Sequence, residues 1–144
     1  MKVNDQKIFE LENLFRRVFR KMRNELRSTM GKYVSINEFA VLKNMKEGAV
    51  KASDLSKALD VSASHITTIT DSLFEKELIT RQRSAKDRRV VHLSLTDQGK
   101  ELIVKIESLK SEYFKELFHL WTDNEVDDMI ELFSKLDFTI DGHE

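Results

Sequence analysis

The densest chemistry in the chain lies within nine residues. Arg81, Arg83, Lys86, Arg88 and Arg89 stand against Asp87 alone, a local charge of +4 over residues 81–89. Cations at that density favour a polyanion, and guanidinium forks match phosphate and base-edge acceptors. A basic run can equally be a solvated surface, so its neighbours decide. Upstream, Ile66, Ile69 and Leu73 recur at helical spacing, which turns Ser62, Ala63, Ser64, His65, Thr67, Thr68, Asp71 and Ser72 outward. That face holds no Lys or Arg before Lys76. Its hydroxyls can bond base edges or phosphates, and the methyls of Ala63, Thr67 and Thr68 can meet thymine methyls.

Other chemistries find little support. The chain has no cysteine, which excludes disulfides, thiolate metal sites and thiol switches. His65, His92, His119 and His143 lie far apart without metal-ligand spacing, so neither a metal nor a cofactor is expected. No G-x-S-x-G elbow and no phosphate-binding Gly-rich loop occurs, and the carboxylates fall at helix caps or on the acidic C-terminal part; the expectation is a protein that is not an enzyme.

The elements that must position these groups follow from composition and period. At 144 residues, 40% apolar and 34% charged, the chain fits one compact domain, residues 1–144. Zero prolines and four glycines leave little for a turn-rich β-sandwich, so helices should dominate. The net charge of -1 conceals an asymmetry: residues 1–30 carry +4, residues 31–100 carry +3 and residues 101–144 carry -8. No apolar stretch approaches the ~20 residues that span a bilayer, and residues 1–10 do not read as a signal peptide, so no membrane association and a cytoplasmic location are expected.

Ile8, Leu11, Phe15, Val18, Met22 and Leu26 alternate three and four apart, one stripe of a long helix over residues 5–27. Ser35 and Glu38 form a capping box for a second helix carrying Phe39, Leu42 and Met45 up to Gly48. Residues 49–51 allow only a β-bridge. A brief helix opening at Ser53-Asp54, a turn at Asp60-Val61 and a helix over residues 62–76 capped by Ser62 make a helix-turn-helix candidate. Residues 78–83 and 90–95 then change to a period near two, two strands around a polar loop. A helix from Thr96 to about Trp121 and another after the Thr122/Glu125 capping box complete the chain, with residues 137–144 expected to fray. The fold class is mainly α with a small β-hairpin wing: a winged helix-turn-helix core (about residues 35–96) flanked by N- and C-terminal helices (about 1–30 and 97–140). Those flanking stripes are too broad to bury on the small core, which predicts a twofold homodimer.

The run Val61-Ser62-Ala63-Ser64-His65-Ile66-Thr67, then Leu78-Ile79, then the segment from Asp87-Arg88-Arg89 to Leu95-Thr96-Asp97-Gln98-Gly99, resembles the MarR family of bacterial winged-helix transcriptional regulators. The Asp-Arg-Arg to Leu-Thr-x-x-Gly signature is its specific part, and the flanking helices match in order and length. The resemblance implies a homodimer on a pseudo-palindromic double-stranded DNA operator, usually a repressor, often released by a small aromatic or anionic effector. By position it places the recognition helix at residues 62–76 and the wing-tip Asp-x-Arg at Asp87 and Arg89, the arginine entering the minor groove while the aspartate orients it.

Expected DNA contacts are therefore Ser62, Ser64, His65, Thr67 and Thr68 on the helix and Arg81, Arg83, Lys86, Asp87, Arg88 and Arg89 on the wing, with phosphate partners at Lys32, Lys51 and Lys57. Thr68 and Ser72 stand where relatives commonly carry Arg, so the fork to guanine is missing and an A·T-rich operator is expected. Phe15, Phe19, Phe39 and Tyr113 permit an effector pocket, though aromatics at helical spacing more often simply pack. The rival reading is a winged-helix protein-interaction module without DNA specificity, which would have no use for the cationic hairpin.

Overall fold

The structure, a computed structural model, describes residues 2–142. The elements run α1 (Asp5–Met30), α2 (Ile36–Asn44), β1 (Val50–Lys51), α3 (Ala52–Ala58), α4 (Ala63–Glu75), β2 (Ile79–Arg83), β3 (Val91–Leu95), α5 (Asp97–Leu117) and α6 (Asp123–Asp141). They fall into two compact units, residues 1–109 and 110–144.

In the first unit the expected cap chemistry is present. Ser35 accepts from the Glu38 amide while Glu38 accepts from the Ser35 amide, and Ser62 accepts from the His65 amide at the start of α4. Three strands form an antiparallel sheet in the order β1-β3-β2, with Val50 opposite Leu93, Ile79 opposite Leu95 and Arg83 opposite Val91. The core closes α2, α3 and α4 over this sheet through Leu42, Leu55, Ile66, Leu73, Ile79 and Leu93, with Ile103 and Ile106 of α5 joining it.

Both helices of the helix-turn-helix end in Schellman turns without glycine. Val61 N–H donates to Ser56 O and Asp60 N–H to Lys57 O after α3; Leu78 N–H donates to Leu73 O and Glu77 N–H to Phe74 O after α4. The left-handed positions are Asp60 (φ 51) and Glu77 (φ 60). A glycine is required elsewhere. The α5 N-terminus crosses the Leu78 carbonyl so closely that a Cβ on Gly99 would lie 2.2 Å from that oxygen. Thr96 fixes the crossing: its hydroxyl donates to Glu77 O at 2.7 Å and accepts from Gly99 N–H at 3.0 Å. This gives the Leu-Thr-x-x-Gly segment its physical meaning.

Several boundaries differ from the sequence expectation. Helix α2 stops at Asn44, because Met45 already leaves helical geometry, and Gly48 (φ 131) serves the turn beyond it. Helix α3 starts at Ala52 without a side-chain cap rather than at Ser53-Asp54.

The second unit holds the end of α5 and all of α6. Helix α5 ends at Leu117, not near Trp121, where Phe118 stacks on Phe114 and meets Trp121 edge-on to fold the connecting turn. The Thr122/Glu125 capping box opens α6 as expected. Residues 137–141 remain helical rather than frayed, with Gly142 N–H bonded to Phe138 O. Residues 143 and 144, and with them His143, lie outside the described residues. Ile8, Phe9, Leu11, Val18 and Phe19 of α1, and Ile130, Phe133 and Leu136 of α6, stand exposed in the single chain. No helix among the described residues is long and apolar enough to cross a membrane.

Candidate nucleic-acid interface

Helix α4 presents its N-terminal half as an uncharged outer face. Ser62, at its cap, Ser64, His65, Thr67 and Thr68 are exposed, while Ile66, Ile69, Thr70 and Leu73 are buried. Thr67 donates its hydroxyl to Ala63 O at 2.9 Å and Thr68 to Ser64 O at 3.1 Å, which leaves oxygen lone pairs outward as acceptors. Ser64 and Ser62 hydroxyls lie 3.2 Å apart, and Ser62 is committed to the helix cap.

The wing tip is organised by Asp87. Its Oδ1 accepts from Arg89 N–H at 3.0 Å and from Arg89 Nε at 3.1 Å, and its Oδ2 from Arg89 Nη2 at 3.2 Å. The side-chain hydrogen bonds from Arg89, with its amide, hold the Asp87 carboxyl below its ordinary value. The Arg89 side chain is nevertheless 91% exposed, so it is oriented without being covered. Arg83 donates to Arg88 O at 3.1 Å across the loop, and Lys86 and Arg88 enter no ion pair among the described residues.

Arg81 behaves differently from the rest of the basic run. It pairs with Asp71 of α4 and lies 4.2 Å from the centre of the Phe74 ring. This clamp ties β2 to α4. Sequence reasoning missed it, although Asp71 and Phe74 stand three apart on one helix face, the spacing that lets two side chains meet a common partner.

The outward face assigned to Ser72 needs correction. Ser72 is half-buried and donates to Glu38 Oε2 at 2.9 Å, where Lys76 also donates at 3.0 Å. Burial pushes the Glu38 carboxyl up, but the Ser35 amide, Lys76 and Ser72 outweigh it and hold the group below its ordinary value. The capping-box glutamate thus binds α2 to the far end of α4.

The aromatic set proposed for an effector is dispersed in role. Phe15 and Phe19 stack on α1 with centroids 5.4 Å apart, Phe39 lies in the core, and Tyr113 meets Phe114 edge-on in the second unit. Two cavities open on the first unit, and neither is lined by these residues. One lies between α4 and the sheet, bordered by Thr67, Phe74, Arg81 and Arg83; the other lies by the start of α5. No group of three or more His, Cys, Asp or Glu among the described residues could hold a metal.

Comparison with known proteins adds the context. A family model described as the transcriptional regulator SarA/Rot matches residues 26–106. The chain is 44% identical over 138 residues to the uncharacterized HTH-type transcriptional regulator YpoP of Bacillus subtilis (strain 168), covering 95% of this chain and 98% of that one. Its fold is similar to the X-ray structure of the YusO protein from Bacillus subtilis, with TM-score 0.82, 28% identity and coverage of 94% and 98%. It also shares the fold of a mutant MarR from E. coli solved in complex with operator DNA, with TM-score 0.70, 22% identity and coverage of 94% and 99%.

Proposed function

The chain belongs to the winged helix-turn-helix transcription regulators of the MarR and SarA/Rot type, and from that premise we propose that it binds a pseudo-palindromic operator as a homodimer and represses. Its class is DNA-binding regulation of transcription rather than catalysis. The observation that carries the reading is the Arg89 guanidinium, pre-oriented by Asp87 and almost fully exposed at the wing tip. An oriented fork loses little side-chain freedom on entering a narrow, negative minor groove.

The recognition helix adds modest base contacts from Ser64, His65, Thr67 and Thr68, and Lys51, Lys57, Lys86 and Arg88 supply phosphate partners. With no Arg or Lys on the outer face of α4, specificity rests on A·T-rich sequence and groove shape. The exposed apolar stripes of α1 and α6 support a dimer, whose two recognition helices would read half-sites ~34 Å apart or a multiple of that turn. Release by a small aromatic or anionic effector completes the reading.

The test is a shift assay with the full chain on DNA from upstream of its own gene, at low and high salt, joined to selection from a random DNA pool. The expected result is one A·T-rich palindromic consensus bound with a steep salt dependence. Equal binding to every fragment, or a G·C-rich consensus, overturns the reading of α4. A native dimer of Arg89→Ala with undiminished operator affinity overturns the role of the wing.

A further inference from the structure

From Thr67 onward the outer face of α4 has no hydrogen to give. Thr67 donates to Ala63 O at 2.9 Å, Thr68 to Ser64 O at 3.1 Å, Thr70 to Ile66 O at 2.9 Å and Ser72 to Glu38 Oε2 at 2.9 Å. Asp71, exposed one turn beyond Thr67 and Thr68, accepts only: Arg81 takes its Oδ1, and its Oδ2 enters no hydrogen bond among the described residues. Backbone N–H groups inside a helix are spent on its own ladder, and Lys76, the next cation, is held by Glu38. The exposed side chains of Thr67, Thr68 and Asp71 therefore offer lone pairs alone. Donors persist at the helix start, where Ser62 and Ser64 hold one hydroxyl hydrogen between them at 3.2 Å and keep the other, and His65 adds its imidazole.

We infer that this acceptor patch reads the N6-amino group of adenine, which makes Thr67 and Thr68 specificity-determining residues; the inference rests on the DNA-binding reading and deepens it. Phosphate oxygens, guanine O6 and N7, and thymine O4 are all acceptors and meet the patch with lone pair against lone pair. Only the amino groups of adenine and cytosine donate into the major groove. Between these two the neighbouring group decides. An A·T pair sets the thymine methyl beside the amino group, where the γ-methyls of Thr67 and Thr68 match it, whereas a C·G pair sets guanine O6 there, another acceptor.

The selection is built in before DNA arrives. Threonine is stiff about χ1, and the bond to the preceding turn holds each hydroxyl in one orientation. Asp71 works in the same direction, since its charge repels phosphate and leaves the base edge as the partner.

The test uses the full chain and the operator returned by selection from a random DNA pool, in a shift assay at constant salt. Each adenine of a half-site is replaced in turn by N6-methyladenine, which puts a methyl in place of the amino hydrogen free in the groove, and by 7-deazaadenine, which removes the N7 acceptor and keeps the amino group. At the positions under Thr67 and Thr68, N6-methyladenine should weaken binding about tenfold and 7-deazaadenine should leave it unchanged. Thr67→Val with Thr68→Val keeps the side-chain shape and removes both acceptors. Natively folded, this variant should bind the unmodified operator more weakly and lose the penalty for N6-methyladenine. The assignment is overturned if no adenine responds to N6-methylation, if 7-deazaadenine weakens binding as much at the same positions, or if the double variant keeps the parent's penalty. Guanine or cytosine in place of those adenines overturns it as well, while a selection that returns no operator overturns the DNA-binding reading beneath it. The analogue series on the parent chain stands by itself should the double variant fail to fold.

Discussion

The front and back of the helix–hairpin unit are tied down in different ways. At the front, side-chain bonds reach only along the local chain: Thr67 and Thr68 bond four residues back, Arg89 bonds Asp87 two residues away, and Arg83 bonds Arg88 five away. At the back they cross the fold: Arg81 reaches Asp71 across 10 residues, Thr96 reaches Glu77 across 19, and Ser72 and Lys76 reach Glu38 across 34 and 38. The front can therefore rearrange on a ligand surface while the back keeps α4, the hairpin and α5 in register. Charge counted along the sequence does not reveal this division, because Arg81 and Arg89 belong to the same basic run and do opposite work.

The largest expected effect lies at the back. Gly99→Ala forces a methyl against the Leu78 carbonyl, which backbone movement alone can relieve, so stability should fall by about 3 kcal/mol in denaturant unfolding. A loss near zero would mean the crossing is loose, and the comparison would fail there.

Next comes Glu38→Gln. The variant loses the charged partner of Lys76 and Ser72 in a nearly buried position, a cost of about 2 kcal/mol at neutral pH. Because the folded pKa lies below the ordinary value of 4.5, the carboxylate's contribution is fully present above that value and is lost as pH falls through the folded pKa. The stability gap between parent and variant should therefore be wide at pH 7 and narrow as pH drops below 4.5. A gap that stays constant into acid would detach the effect from Glu38 ionisation.

Arg89→Ala and Arg81→Ala sharpen the comparison directly. Arg89→Ala should leave the melting temperature unchanged and weaken operator binding about tenfold. Arg81→Ala should cost about 1 kcal/mol of stability, through the lost Asp71 pair and Phe74 contact, with the smaller effect on DNA. If the two variants exchanged phenotypes, front and back would have been assigned the wrong way round.

What the sequence disclosed and what it withheld follow the same division. Local rules worked where the structure is local: both capping boxes, the Ser62 cap, the change of period at the hairpin and the Asp87–Arg89 pairing that the resemblance implied are all present. Local rules failed where a residue serves two partners. Glu38 was legible as a cap, yet its second oxygen holds Ser72, so Ser72 was placed on the outer face from the apolar period alone. Arg81 alternates with its strand neighbours like any exposed cation, and only the fold brings Asp71 and Phe74 to it. Helix ends also resisted, because α2 stops by backbone geometry at Met45 ahead of the glycine that signalled the end.

The smallest expected effect concerns strain stored at the back. Glu77 occupies the left-handed position that closes α4, a conformation that costs a non-glycine residue about 1 kcal/mol or more. Its carbonyl, which accepts from Thr96, belongs to the backbone and survives any substitution that keeps the turn. Glu77→Gly removes the steric penalty but adds unfolded-state freedom, which offsets part of the gain. The expected net is a stabilisation of about 0.5 kcal/mol in denaturant unfolding, with operator affinity unchanged because the front is untouched. A variant that lost stability would show the Glu77 side chain to be one of the back's fastenings. A variant that gained stability but lost DNA binding would show that strain at the back sets the pose of the front, and the two regions could no longer be treated apart.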